Sequence, residues 1–213
     1  RPRLLGELEM TGWLDFIVPL GGGKLAALGD EDITEGGQRK ISLAVSLINA
    51  SGTGTPELLS RVTLDGLWGW VPSTRDDFAK VFRVLGDQGL IHFPFQAWSQ
   101  TDYKYIGGVQ LIDFDATTLR LRGLIRDAGW VERGIPYEEA TVLTLSSELL
   151  QVVDITDRGN PRLRSKLELA RNVQSFALLP GDFTVQLTGD WYRGDTTLLV
   201  TPIEDPDASV PVS

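Results

Sequence analysis

The chain contains no cysteine, a single histidine and a single methionine among 213 residues. Without cysteine there is no disulfide, no thiolate metal site and no thiol nucleophile; the absence fits a cytosolic and an exported protein equally. With His92 alone, any mechanism built on two histidines is excluded. No apolar run reaches the roughly 18 residues that a spanning helix needs, so no membrane span is expected. Basic residues are also short, 20 Lys and Arg against 29 Asp and Glu, for a net charge of −9. Such a surface repels phosphate backbones, which are bound by clustered cations, and nucleic-acid binding is disfavoured. No Gly-x-Ser-x-Gly elbow is present. "PLGGGKLAAL" lacks the spacing and the Ser or Thr of a phosphate-binding loop, and reads as a strand–turn–strand. No signal peptide is visible, and the chain opens on Arg1 instead of Met; the expectation is that an upstream piece has been removed or omitted.

What the chain does have is a repeat. Four segments align: "PRLLGELEMTGW" (2–13), "VSLINASGTGTPELLSRVTLDGLWGW" (45–70), "VQLIDFDATTLRLRGLIRDAGW" (109–130) and "LQVVDITDRGNPRLRSKLELARN" (150–172). In each complete copy an apolar run ends on Asn49, Asp113 or Asp154, and a polar turn follows, as expected where such side chains cap their own backbone. The next run alternates with the period of a half-buried strand, as in "RSKLEL". Three copies close on Trp13, Trp70 and Trp130. Two further β-rich runs separate successive copies, so each unit holds four short strands over about 40 to 65 residues. Helix signals are nearly absent; "TRDDFAKVF" is the one candidate turn.

Four-strand units in tandem predict an all-β protein, a β-propeller with about four blades in this chain. The expected boundaries are a terminal outermost strand at 1–13, blades at 14–70, 71–130 and 131–172, and an incomplete last blade at 173–213. Two closures follow. Either the terminal strand completes the last blade and seals a four-bladed ring, or the chain is part of a larger propeller, which is the preferred reading. Its partner in that case is the remainder of the same propeller or a second copy of the chain.

The segments "PRLLGELEMTGWLDFIVPLGGGKLAALG", "ISLAVSLINASGTGTPELLSRVTLDGLWGW", "GLIHFPFQAW" leading to "GGVQLIDFD", and "VVDITDRGNPRLRSKLEL" resemble bacterial and archaeal secreted proteins with a C-terminal β-propeller, distantly related to WD-type repeats. The resemblance implies export (periplasm, cell surface or medium) and a propeller longer than this chain. It brings no catalytic motif. The Ser-Asp-Pro turn of that family is degraded here to "NASGTGTPE", and the third unit is short.

Antiparallel order places the connections entering each blade and the turns between its second and third strands on one face. Trp13, Trp68, Trp70, Trp98, Trp130 and Trp191 all fall there, with Tyr103 and Tyr105. The expected partner surface consists of Trp70, Trp98, Tyr103, Tyr105, Trp191 and Arg193, since Trp, Tyr and Arg dominate interface hot spots. Against this, Trp13, Trp70 and Trp130 recur in register, as residues wedged between neighbouring blades do. In "GDEDITEGG", Asp30, Asp32 and Glu35, with Glu31, invite a calcium reading; a solvated acidic loop is preferred, because the twelve-residue calcium pattern is missing. No cofactor is therefore assigned. "YRGDTT" carries the Arg193-Gly194-Asp195 tripeptide of adhesion ligands, which a hairpin turn explains equally. The carboxylate pairs Asp113/Asp115 and Glu138/Glu139 raise glycoside hydrolysis as an alternative, a polysaccharide hydrolase or lyase at the channel mouth, but no catalytic set is assigned. The expected role is a binding or scaffold module for a protein or glycan.

Overall fold

The computed structural model describes the chain apart from residues 2, 53, 65–66, 73–76, 100–102, 127–129, 170–172, 191–194, 206–207, 209 and 212–213, and apart from the side chains of strand residues 35, 68, 190, 195, 210 and 211. Alternating apolar and polar residues between glycine-rich turns give four antiparallel sheets in chain order. The first sheet runs β1 (Trp13–Gly21), β2 (Lys24–Glu35), β3 (Gln38–Asn49) and β4 (Glu57–Thr63). The second has β5 (Leu67–Trp70) and β6 (Arg83–Leu85) side by side along β7 (Leu90–Ser99), then β8 (Lys104–Phe114) and β9 (Leu119–Arg126). The third comprises β10 (Val131–Glu138), β11 (Thr141–Ser146), β12 (Leu149–Asp154) and β13 (Arg162–Glu168). The fourth comprises β14 (Val173–Leu179), β15 (Phe183–Asp190), β16 (Asp195–Pro202) and β17 (Val210–Pro211). A short helical turn, α1 (Phe78–Val81), lies where the one helix signal stood, and a 3-10 turn follows at Gly86–Gln88.

Three boundaries differ from the sequence reading. The fourth sheet takes its outer strand from Val210–Pro211, which pairs with Leu199 and Val200, and not from residues 1–13. The N-terminal segment is instead held at the first blade. Gly6 lies against Gly54–Pro56, and Thr11 accepts a hydrogen bond from Arg61 Nη1 at 3.1 Å. The second blade begins at Leu67 and not at 71, because its inner strand is interrupted: β5 pairs with the far half of β7 and β6 with the near half, with α1 bulging out between them. The acidic run is strand and not loop, since the β2–β3 hairpin closes only at Gly36-Gly37, whose φ values of 59° and 80° suit a two-residue primed turn.

Two apolar cores result. Between the first and second blades, Leu28, Leu43, Val45 and Leu47 meet Ile91, Phe93, Phe95 and Ile112, with Phe82 of the interrupted segment filling the corner. Between the second and third, Leu90, Val109, Leu111 and Ile125 meet Val131, Val142, Val153 and Ile155. The β7 strand thus has apolar residues on both faces, as a sheet clamped between two neighbours requires. Polar clasps join the same blades at the opposite rim from the tryptophans. Lys24 Nζ donates to Ala116 O at 2.6 Å, and Arg158 bridges to Asp113 and to Gln88 O.

The turns after the third strands follow the capping expectation in part. Asn49 Oδ1 accepts from Ser51 N, and Asp154 Oδ1 accepts from Thr156 N. In the second blade that role falls to Asp115, which accepts from Thr117 N and Thr118 N, two residues beyond the expected Asp113. Asp113 is drawn away by Arg122 and Arg158.

Candidate functional site

The register of the second blade assembles an aromatic cluster. Trp98 sits opposite Tyr105 in the β7–β8 ladder, and their rings meet edge to face at 4.9 Å. Trp70, two pairs further along the β5–β7 ladder than Trp68, turns its ring edge to Tyr105 at 6.4 Å. Trp130, entering the third blade, closes the group at 5.5 Å from Trp70 and 6.4 Å from Tyr105. Edge and tilted contacts of this kind hold aromatic rings in fixed orientations. Trp98 and Trp130 are half-buried, whereas Trp70 and Tyr105 keep 41% and 42% of their surface exposed. Beneath them Gln96, paired with Trp70 and Gly107, folds its amide over Gly107, where any Cβ would collide with it.

Of the six residues that the sequence assigns to a partner surface, three are thus brought together: Trp70, Trp98 and Tyr105. Tyr103 stands beside them in the turn, 77% exposed, with a φ of 51°. Trp191 and Arg193 lie outside the described residues, as does the centre of the adhesion-like tripeptide; Asp190 and Asp195 pair across that turn. Trp130 belongs to the cluster although its regular recurrence argued for a wedge; it is both, sitting at the junction of two blades. Trp13 and Trp70 occupy inner strands β1 and β5, not the connections.

The acidic residues do different work. Asp32 binds the Arg39 guanidinium with both oxygens, at 2.9 and 2.6 Å, and this holds its carboxyl below the usual range. A cation there would have to displace Arg39. The side chain of Glu35 lies outside the described residues. Asp30 is buried, opposite Trp13, and burial pushes its carboxyl up to about 6, helped by Asp15 and opposed by Arg61. Burial raises Asp15 as well. This pair escapes sequence reasoning, because the β-bulge between Leu14 and Phe16 that sets its position has no sequence signal. Of the carboxylate pairs singled out earlier, Asp113/Asp115 is engaged in structural contacts: Asp113 is bound by two arginines, and hydrogen bonds from Thr118 and Thr117 hold Asp115 down to about 2.

His92 is fully buried on the face of β7 that packs on the third blade, with Gly134 directly over Nδ1. Burial first, and Arg83 second, lower it to about 3, so it is neutral at physiological pH and buried as a packing residue.

Residues 1–158 match the protein family described as Beta propeller domain. No curated protein matches the chain. The family match spans the first two sheets and the third up to the turn after β12, sheets that stack through shared cores, and the chain belongs to the beta-propeller domain family.

Proposed function

We propose that the chain is a non-enzymatic binding and scaffold module of an exported protein, engaging a protein or glycan partner through the face that carries Trp70, Trp98, Tyr103 and Tyr105. The observation that supports this reading most is the aromatic cluster itself: two of its four rings are half exposed while the other two anchor them. Rigid, partly exposed Trp and Tyr rings offer large contact area at small entropic cost. Export rests on the family resemblance. A mixed array of glycans and peptides, probed with the native protein, tests the reading. Retention of one chemical class, with a change in tryptophan emission on binding, is expected; retention of none removes the support.

One observation favours a second reading, a carboxylate-based polysaccharide hydrolase or lyase. Asp30, raised to about 6 beside Asp15, is the kind of acid such chemistry requires. In that case Asp30→Asn abolishes turnover of a polysaccharide that the native protein depolymerises.

A further inference from the structure

The rim opposite the aromatic cluster carries a cleft of about 270 Å³, where the second blade meets the turn after β12. Its walls come from the turn before β7, from the β8–β9 hairpin and from Arg158 of the third blade. The volume falls just short of the roughly 300 to 1,000 Å³ of sites for drug-sized ligands, and suits a molecule of about one sugar ring.

Strand register places the charges. Asp113 and Arg120 are partners in the β8–β9 ladder, and Asp113 lies on the face where Val109 and Leu111 meet the third blade. Asp113 is answered twice, by Arg158 Nη1 at 2.7 Å and by Arg122 Nε at 2.6 Å. Asp115 Oδ1 accepts from Thr117 N and Thr118 N, and its Oδ2 from Thr118 Oγ1 at 2.6 Å. These bonds hold its carboxyl down to about 2, so it is ionised at physiological pH. Arg120 differs from its neighbours: among the described residues it makes no hydrogen bond or ion pair. The side-chain amide of Gln88, which also lines the cleft, makes no hydrogen bond to them either.

A guanidinium presents a planar fork that matches a carboxylate through two parallel N–H···O bonds. A dianion such as phosphate would meet the like charges of Asp113 and Asp115 in the same cleft. The remaining polar atoms suit hydroxyls. The Gln88 amide both donates and accepts, and Asp115 Oδ2, with one hydrogen bond, has a lone pair to spare. We propose that the cleft binds a small hydroxylated monocarboxylate of the sugar-acid class, its carboxylate on Arg120 and its hydroxyls on Gln88 and Asp115. The site lies at the other rim from the aromatic cluster and does not depend on a ligand there.

Isothermal titration calorimetry of the whole chain with D-glucuronate and D-gluconate, at fixed ionic strength, tests the proposal; D-glucose and inorganic phosphate are the comparisons. One saturable site per chain is expected for at least one of the acids, with a Kd of about 1 mM or tighter. Glucose and phosphate should bind about tenfold more weakly or worse. Arg120→Ala should weaken binding of the acid about tenfold or more, with an unchanged melting temperature. Tyr105→Ala should leave the acid's affinity as it is. No saturable binding of either acid up to about 20 mM overturns the proposal. An Arg120→Ala protein that binds like the native chain overturns it too, as does a melting temperature that falls together with the affinity. Phosphate or glucose bound as tightly as the acids overturns the assignment of a monocarboxylate.

Discussion

Arg158 Nη1 donates to Asp113 Oδ1 at 2.7 Å, and the two residues belong to different blades. Arg158 also donates through Nη2 to Gln88 O at 3.0 Å, and Asp113 receives Arg122 Nε at 2.6 Å. One guanidinium therefore ties the turn after β12 to the second blade, at the rim opposite the aromatic cluster. Both side chains of the bridge are 24% exposed, so solvent screens it only in part.

Replacing Arg158 by Ala is expected to lower stability by about 1–2 kcal/mol, the loss for charge-assisted hydrogen bonds in a partly buried site. Urea denaturation measures it. Asp113→Ala in the Arg158→Ala background should cost much less than in the native chain; additive losses would show that the bridge contributes nothing.

The acid limb of stability should trace His92. Its folded pKa of about 3 lies below the ordinary 6.5, so the unfolded chain takes up the proton first as pH falls. Its contribution is complete above about pH 6.5 and is lost progressively toward pH 3. His92→Leu should flatten that limb in thermal melts from pH 3 to 8; an unchanged limb contradicts the assignment.

Asp30 acts with the opposite sign. Its folded pKa of about 6 exceeds the ordinary 3.8, so its contribution is present below pH 3.8 and lost as pH rises through 6. Asp30→Asn should therefore remove a loss of melting temperature between pH 4 and 6 that the native protein shows.

Gly134 marks a close approach of the second and third blades. A Cβ there would lie 2.9 Å from Val109 Cγ1 and 3.0 Å from His92 Nδ1, both in the packed interior. Gly134→Val is expected to destabilise by about 1–3 kcal/mol through overpacking. Gly86→Val, where a Cβ meets nothing, should cost less than half as much, and equal losses would point to backbone effects alone.

Much of this architecture is legible in the sequence, because strand alternation and Asx turns are local signals. Asn49 and Asp154 cap their turns as their position predicts. Trp70, Trp98 and Tyr105 meet on the strands β5, β7 and β8 and not in the connections where the sequence reading put them. What is not legible depends on partners far along the chain. Asp113 has the same local pattern as Asp154, and only the folded position of Arg158, 45 residues on, diverts it from capping. The interruption of the inner strand into β5 and β6 is hidden because Leu67–Trp70 and Arg83–Leu85 each read as ordinary strand. The raised carboxyl of Asp30 follows from burial under a bulged strand, which no residue pattern announces.

The central claim is that the aromatic cluster serves recognition and not merely the joint between two blades. The most direct measurement is Tyr105→Ala, followed by melting temperature and by affinity for whatever glycan or peptide the native protein retains. Tyr105 is 42% exposed, so the account predicts a melting temperature within about 3 °C of the native protein, with affinity reduced about tenfold or more, as hot-spot truncation produces. A drop of more than about 8 °C with affinity per folded molecule unchanged would contradict it and make the cluster part of the core.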